Sequence, residues 1–134
     1  MRRVVIASHH GLADGFRDTL EFVCGAKNIQ AVAAYMDDES CLEREIECIF
    51  EGFSPEDEVL VMTDMMQGSV NQAFLKYVGE HVFLVTGINL PCALELVLYP
   101  SPLSVEGIRG VIDRSREQLL LVNDQIVEID ENDE

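Results

Sequence analysis

Residues 4–15 read VVIASHHGLADG, and this stretch decides the fold. A short apolar run ends at Ser8, and two histidines and Gly11 separate it from a segment whose apolar residues recur with helical spacing up to Gly25. A continuous apolar run of this length is typical of a strand buried on both faces. The stretch therefore predicts a buried strand that leads through a short histidine-bearing loop into a helix.

The same alternation continues along the chain. Apolar runs predict strands at residues 4–7, 30–36, 59–63 and 82–86. Helical periodicity predicts helices at residues 12–24, 41–53, 69–78 with Ser69 as a possible N-cap, 91–99 with Pro91 in the first turn, and 105–122. Residues 125–129 form a last short strand candidate. The pattern predicts an α/β fold, a doubly wound open sheet of four parallel strands with helices on both faces.

Composition and charge limit the functional classes. The chain has 134 residues and a formal net charge of −16, which argues against nucleic acid or an anionic membrane as a partner. We expect one domain over residues 1–130 and an acidic tail at 131–134. No apolar run reaches the roughly 18 residues that a membrane-spanning helix needs, so we expect a cytoplasmic protein. The four cysteines, without CxxC spacing, are expected to be buried apolar residues rather than metal ligands: Cys24, Cys41, Cys48 and Cys92.

Chemically capable residues follow the first and third predicted strands. In an open parallel sheet, ligands bind beyond the carboxyl ends of the strands, where the strand order reverses. His9 and His10 follow the first strand, and Asp64 follows the third. If these strands are neighbours, a histidine and a carboxylate meet, and the carboxylate fixes the imidazole tautomer and leaves one ring nitrogen free as a nucleophile or base.

A turn that suits an anion follows Asp64. Gly68 and Ser69 open a predicted helix, whose free backbone N–H groups favour phosphate. The chain has no GxxxxGK[ST] or GxGxxG loop and no GxSxG elbow, so nucleotide binding and serine-hydrolase chemistry have no support. A nucleophilic histidine beside a phosphate site remains.

Three segments together resemble the enzyme IIA component of the mannose family of the bacterial phosphoenolpyruvate-dependent sugar phosphotransferase system. They read VVIASHHGLADG, VLVMTDMMQGSVNQA and VTGINLPCALEL. The resemblance implies a phosphohistidine carrier that takes a phosphoryl group from the phosphocarrier HPr and passes it to a sugar-specific enzyme IIB. It also implies a homodimer, in which the strand at residues 125–129 pairs with the partner's sheet, and a reaction that requires no metal or cofactor.

Two alignments with the family compete for the phosphorylated histidine. Family members commonly read small-[Ser/Thr]-His-Gly, so matching His-Gly selects His10. The ungapped match over Ala7-Ser8 and the downstream Ala13-Asp14 selects His9, and we favour it. The resemblance then makes Asp64 the hydrogen-bond acceptor for His9 and gives Gly68 and Ser69 the phosphate oxygens.

Several alternatives stay open at this point. Within the same fold, the phosphotransfer subunit that serves dihydroxyacetone kinase shares the Ser-His and Asp-Met-Gly-Ser pattern. In another class, the same pocket would belong to a non-catalytic module that senses phosphorylation or binds an anion. A metal site formed by His9, His10 and Asp64 is the weakest reading. Met65 and Met66 suit either core packing or an exposed, adaptable apolar rim for two partners.

Overall fold

Four strands alternate with helices along the chain, in the order that the sequence predicts. The computed structural model describes residues 1–35, 41–100 and 102–126. The strands are β1 (Arg2–His9), β2 (Ile29–Ala34), β3 (Glu58–Thr63) and β4 (Val82–Thr86). The helices are α1 (Leu12–Cys24), α2 (Leu42–Glu51), α3 (Ser69–Phe74), α4 (Leu90–Leu98) and α5 (Val105–Arg116), with a 3-10 turn at Leu75–Tyr77.

The sheet is parallel and has the order β2-β1-β3-β4. The predicted α/β class is thus confirmed, and β1 and β3 are neighbours, with Ala7 paired to Thr63. The chain moves from β1 to β2 on one side and from β3 to β4 on the other, so the strand order reverses between β1 and β3. The loops that follow these two strands therefore lie at the position where such sheets bind ligands.

The strands are buried on both faces because helices cover both. Val4 and Ile6 of β1 belong to one cluster of buried residues, which includes residues of α1, α4 and α5. Val5 and Ala7 belong to the other, with residues of α2 and α3. Alternate side chains of a strand point to opposite faces, so a continuous apolar run fits a strand covered twice.

The ends of several helices differ from their predicted positions. Ser69 is the first residue of α3 rather than its N-cap, and Gly68 holds the N-cap position without a side-chain bond. Asn89 caps α4 by accepting a hydrogen bond from the Cys92 amide, and Pro91 lies in the first turn as predicted. The helix predicted at 105–122 ends at Arg116, since the side chains beyond it, such as 87 % exposed Leu119, meet no core surface.

The predicted last strand at residues 125–129 is not supported where the structure describes it. Residues 122–126 are helical, so the first two residues of that strand prediction are wrong, and residues 127–129 lie outside the described residues. No helix in the described ranges is long and apolar enough to cross a bilayer.

The cysteine prediction was right for one residue in four. Cys92 is buried and Cys24 is partly buried, whereas Cys41 and Cys48 are exposed on or beside α2. Apolar spacing placed α2 correctly, but it did not separate the helix face that packs on the sheet from the face that carries these two thiols.

Candidate active site

His9 and Asp64 form a hydrogen-bonded pair at the carboxyl edge of the sheet. His9 is the last residue of β1, and Asp64 directly follows β3. The His9 Nδ1 atom lies 2.9 Å from Asp64 Oδ2, and the His9 backbone amide donates to the same oxygen at 2.9 Å. Asp64 Oδ1 accepts from the Met65 amide at 3.0 Å, which fixes the carboxylate plane.

The charge of Asp64 decides the tautomer of His9. Burial raises the pKa of Asp64, but the hydrogen bonds from the His9 amide and ring lower it by more, so the net pKa lies below its ordinary value of 3.8. The carboxylate is ionised at neutral pH and only accepts hydrogen bonds. His9 Nδ1 must therefore carry the hydrogen, and in the neutral ring Nε2 keeps its lone pair.

Gly68 lies against the free edge of the His9 ring. A Cβ atom placed on Gly68 would lie 3.2 Å from both Cε1 and Nε2 of His9. Gly68 also has φ 118° and ψ 169°, a backbone region that is accessible essentially to glycine alone. Both the close approach and the conformation require glycine, so the space beside Nε2 is bounded by backbone rather than by a side chain.

A buried serine holds the loop after β1. The Ser8 hydroxyl donates to the His10 carbonyl at 3.0 Å and accepts from the Ala13 amide at 2.7 Å. Ser8 thereby satisfies an amide in the first turn of α1, whose N-cap residue Gly11 makes no side-chain bond. The strand end and the helix start are linked through one hydroxyl, which fixes the position of His9.

His10 has a different role from His9. Its φ of 55° lies in the left-handed region, its amide donates to the Ala34 carbonyl at 2.8 Å, and its side chain is exposed. This backbone conformation favours glycine, which is the residue that the resembling family commonly has here. The ring that bonds Asp64 belongs to His9.

The turn after β3 is anchored by hydrogen bonds from α3 and from the loop after β4. The hydroxyl of Thr63, the last residue of β3, donates to the Asn71 side chain of α3 at 3.0 Å, and both residues are buried. The Thr63 carbonyl accepts from the Ile88 amide at 3.1 Å, which ties the loop after β4 to the same point. The start of α3, with Gly68 and exposed Ser69, is therefore held in a fixed position at the carboxyl edge of the sheet.

The structure brings His9, Asp64 and Gly68 together and puts Ser69 next to them in the chain. Among the described residues, no group of three or more His, Cys, Asp or Glu side chains could hold a metal ion. Sequence reasoning missed Ser8 and the Thr63–Asn71 bond, although Ser8, five residues before the amide that it caps, was a readable signal. It also missed Tyr35, which directly follows β2 and whose ring centroid lies 5.7 Å from that of His9.

A comparison with protein families identifies the family of the chain. Residues 3–110 match the model of the EIIA-man family, described as the PTS system fructose IIA component. The chain belongs to this family. The matched range contains the four strands except Arg2 of β1, both site loops and the first half of α5, so the family resemblance of the three sequence segments is confirmed.

Solved structures of this type share the architecture. A crystal structure from Klebsiella pneumoniae, described as a phosphoenolpyruvate-dependent sugar phosphotransferase system permease, is 28 % identical with a TM-score of 0.85, over 93 % of each chain. The PTS IIA protein associated with the fucose utilization operon of Streptococcus pneumoniae is 26 % identical with a TM-score of 0.77, over 93 % of this chain and 96 % of that one. The mannose/sorbose-specific IIA subunit of Enterococcus faecalis, 17 % identical with a TM-score of 0.74 over 90 % and 93 %, shares the fold.

The left-handed backbone of His10 leads to a stability prediction. We expect His10→Gly to raise the free energy of unfolding by about 0.5–1 kcal/mol, because relief of the left-handed strain exceeds the extra chain entropy of glycine. His10→Val, which is β-branched, should lower it. Urea denaturation of both variants measures the change, and equal destabilisation by glycine and valine would contradict the assignment.

The low pKa of Asp64 leads to a pH prediction. A carboxyl group with a depressed folded-state pKa stabilises the fold above its unfolded pKa, and this stabilisation is lost as pH falls through the folded pKa. We expect Asp64→Asn to cost about 2 kcal/mol of unfolding free energy at pH 7, and the difference from wild type to shrink below pH 4. Asp18→Asn, at an exposed position of α1, is the control. A difference between wild type and Asp64→Asn that stays constant from pH 7 to pH 3 would refute the prediction.

Proposed function

We propose that the protein is a phosphohistidine carrier of a sugar phosphotransferase system, which accepts a phosphoryl group from HPr and passes it to an enzyme IIB. The single observation that carries this proposal is the His9–Asp64 pair, which leaves Nε2 free beside the Gly68 backbone. Family membership supports a role in this system, and the two most similar structures described above carry phosphotransferase-system descriptions.

The proposed transfer uses the free ring nitrogen. The His9 Nε2 lone pair attacks the phosphorus of phospho-HPr, the P–N bond to the HPr histidine breaks, and its electron pair returns to that histidine. The His9 ring gains positive character, which the Asp64 carboxylate stabilises through the Nδ1–H bond. Such a transfer depends on in-line placement and charge stabilisation more than on covalent assistance. The donor is already activated, so neither a metal nor a cofactor is needed.

Gly68 and Ser69 are the proposed contacts of the phosphoryl oxygens. The backbone amides at the start of α3 and the exposed Ser69 hydroxyl are hydrogen-bond donors on the segment that borders Nε2. Donors held in place before the reaction stabilise charge without reorganising. The Thr63–Asn71 bond supplies that rigidity, since it fixes α3 against the end of β3.

An apolar rim suits the docking of two partners in turn. Met65 and Met66 are 48 % and 64 % exposed, so their interpretation as core residues is wrong. Leu12 and Leu90, the first residues of α1 and α4, are exposed at the same edge of the sheet. Flexible thioether side chains repack readily against different surfaces, which is what a carrier needs.

The proposed exchange with HPr implies a cytoplasmic location for the protein.

A second copy of the chain is the proposed occupant of the free side of β4. Within the described residues, β4 pairs with β3 on one side, and on the other side Val82 forms an isolated bridge with Gly79. A cavity of about 280 Å³ runs between β4 and α5, with Phe83, Val105 and Ile108 in its walls. The family resemblance implies a homodimer, and we propose one in which a second copy of the chain covers this side of β4 and the groove beside it.

The carrier proposal predicts which histidine is labelled. With phosphoenolpyruvate, enzyme I and HPr, we expect wild type and His10→Ala to acquire acid-labile phosphate and His9→Ala to acquire none. The reason is that, among the contacts of the described residues, His9 is the histidine whose Nδ1 atom is bonded by a carboxylate. Radiolabelling followed by mass mapping of the phosphorylated peptide makes the measurement.

The other possible outcomes would change either the residue assignment or the function. Loss of label in His10→Ala alone would reverse the residue assignment and keep the function. An unlabelled wild type would favour a regulatory or anion-binding module. Transfer of the label to the nucleotide-binding subunit of dihydroxyacetone kinase, and not to an enzyme IIB, would assign the protein to that kinase.

The dimer proposal predicts the effect of a charge in the groove. Val105→Glu places a carboxylate on an exposed groove residue at the start of α5, a position where an acidic side chain suits the helix dipole. We expect wild type to sediment with the mass of two chains and Val105→Glu with the mass of one. Leu98→Glu, exposed on α4 and outside the groove lining, is the matched control. A monomeric wild type would disprove the dimer.

A further inference from the structure

Tyr35 is an aromatic residue in a backbone conformation that suits glycine. It directly follows β2, has a φ of 65°, and is 46 % exposed. Bulky residues in this left-handed region are genuine outliers. An exposed apolar contact alone does not explain why a tyrosine occupies this position, because a glycine or an asparagine would adopt the left-handed conformation with less strain.

The Tyr35 ring contacts the proposed phosphate acceptor. Its centroid lies 5.7 Å from that of the His9 imidazole, and the two planes are tilted by 35°. Tyr35 lies beside His9 because Ala34, the last residue of β2, pairs with His9 in the sheet. The neighbouring backbone is also fixed, since the Ala34 carbonyl accepts from the His10 amide at 2.8 Å.

Apart from the contact with Tyr35, the described contacts of the His9 imidazole come from Asp64 and Gly68. The Asp64 bond holds Nδ1, and the Gly68 backbone borders Cε1 and Nε2. A single hydrogen bond at one nitrogen still permits rocking of the ring about its Cβ–Cγ bond. A contact with the ring itself narrows that motion, and narrower motion raises the fraction of time in which Nε2 is aligned for in-line attack.

Tyr35 also borders a neighbouring cavity. A cavity of about 420 Å³ lies between α2 and α3, and Tyr35, Ser69 and Gln72 are among its lining residues. Since Tyr35 contacts both the His9 ring and this space, loss of its ring would open the histidine to the cavity.

We propose that Tyr35 is a positioning residue, whose ring holds the His9 imidazole in the orientation needed for phosphoryl transfer and covers it on the side of that cavity. This proposal rests on the carrier function proposed above and deepens it. The contribution is assigned to the ring and not to the hydroxyl, so phenylalanine should replace tyrosine. It acts through His9, so it should affect the rate of transfer more than the affinity for HPr.

The test compares Tyr35→Phe with Tyr35→Asn, because asparagine tolerates the left-handed backbone and lacks the ring. With saturating phospho-HPr we expect Tyr35→Phe to transfer within about two-fold of wild type, and Tyr35→Asn to transfer about ten-fold more slowly with little change in KM for HPr. Phosphorylated Tyr35→Asn should also hydrolyse faster. The melting temperature of Tyr35→Asn should equal or exceed that of wild type, which excludes loss of folding as the cause.

Met66→Ala serves as the control for docking. Met66 belongs to the apolar rim, so its loss should raise KM for HPr while the saturated rate changes little. A Tyr35→Asn variant with an altered KM and an unaltered saturated rate would make Tyr35 a docking residue and overturn the proposal. A Tyr35→Phe variant as slow as Tyr35→Asn would also overturn it, since the hydroxyl would then be responsible.

A second readout does not depend on phosphoryl transfer. NMR relaxation of the His9 ring carbons in the unphosphorylated protein reports ring motion directly. We expect broader or exchanging His9 signals in Tyr35→Asn and wild-type signals in Tyr35→Phe. If wild type is not phosphorylated by HPr, the carrier function fails, and unchanged His9 relaxation in Tyr35→Asn would separately refute the positioning role.

Discussion

One carboxylate oxygen organises the carboxyl edge of the sheet. Asp64 Oδ2 accepts from both the backbone and the ring of His9, so it ties the end of β1 to the end of β3. These bonds keep Asp64 ionised despite its burial, and the ionised state fixes the imidazole hydrogen on Nδ1. The arrangement requires β1 and β3 to be adjacent and in their observed register. The topology of the sheet therefore determines which nitrogen of the neutral His9 ring keeps its lone pair.

Much of the fold was predictable because helices bury both faces of the sheet. The apolar runs of β1, β3 and β4 and the helical spacing of α1 located most elements within a few residues, and the reversal of strand order followed from the α/β class. The C-terminal region was not predictable. Leu119 to Val122 have the composition of a helix core, but they lie beyond the surface that α5 covers, and composition does not reveal where that surface ends.

The proximity of His9 and Asp64 was predicted, whereas the residues that hold them in place were predicted only in part. His9, Asp64 and Gly68 were readable because each directly follows a strand or opens a helix. The contributions of Thr63, Asn71 and Tyr35 were not, since a buried hydroxyl–amide bond and a left-handed tyrosine depend on tertiary contacts. The alignments left His9 and His10 open, and the structure adds a difference between them. His9 bonds Asp64, whereas His10 has a φ of 55° and an exposed side chain.

The Ser8 hydroxyl has a consequence for how the domain meets other proteins. By joining the end of β1 to the first turn of α1, it leaves the histidine loop already ordered in the free chain. A surface that is ordered beforehand loses little conformational entropy on contact. For the proposed carrier function, HPr and enzyme IIB would each meet a loop that is already folded. Binding is then not delayed by loop ordering, and short residence times are compatible with transfer.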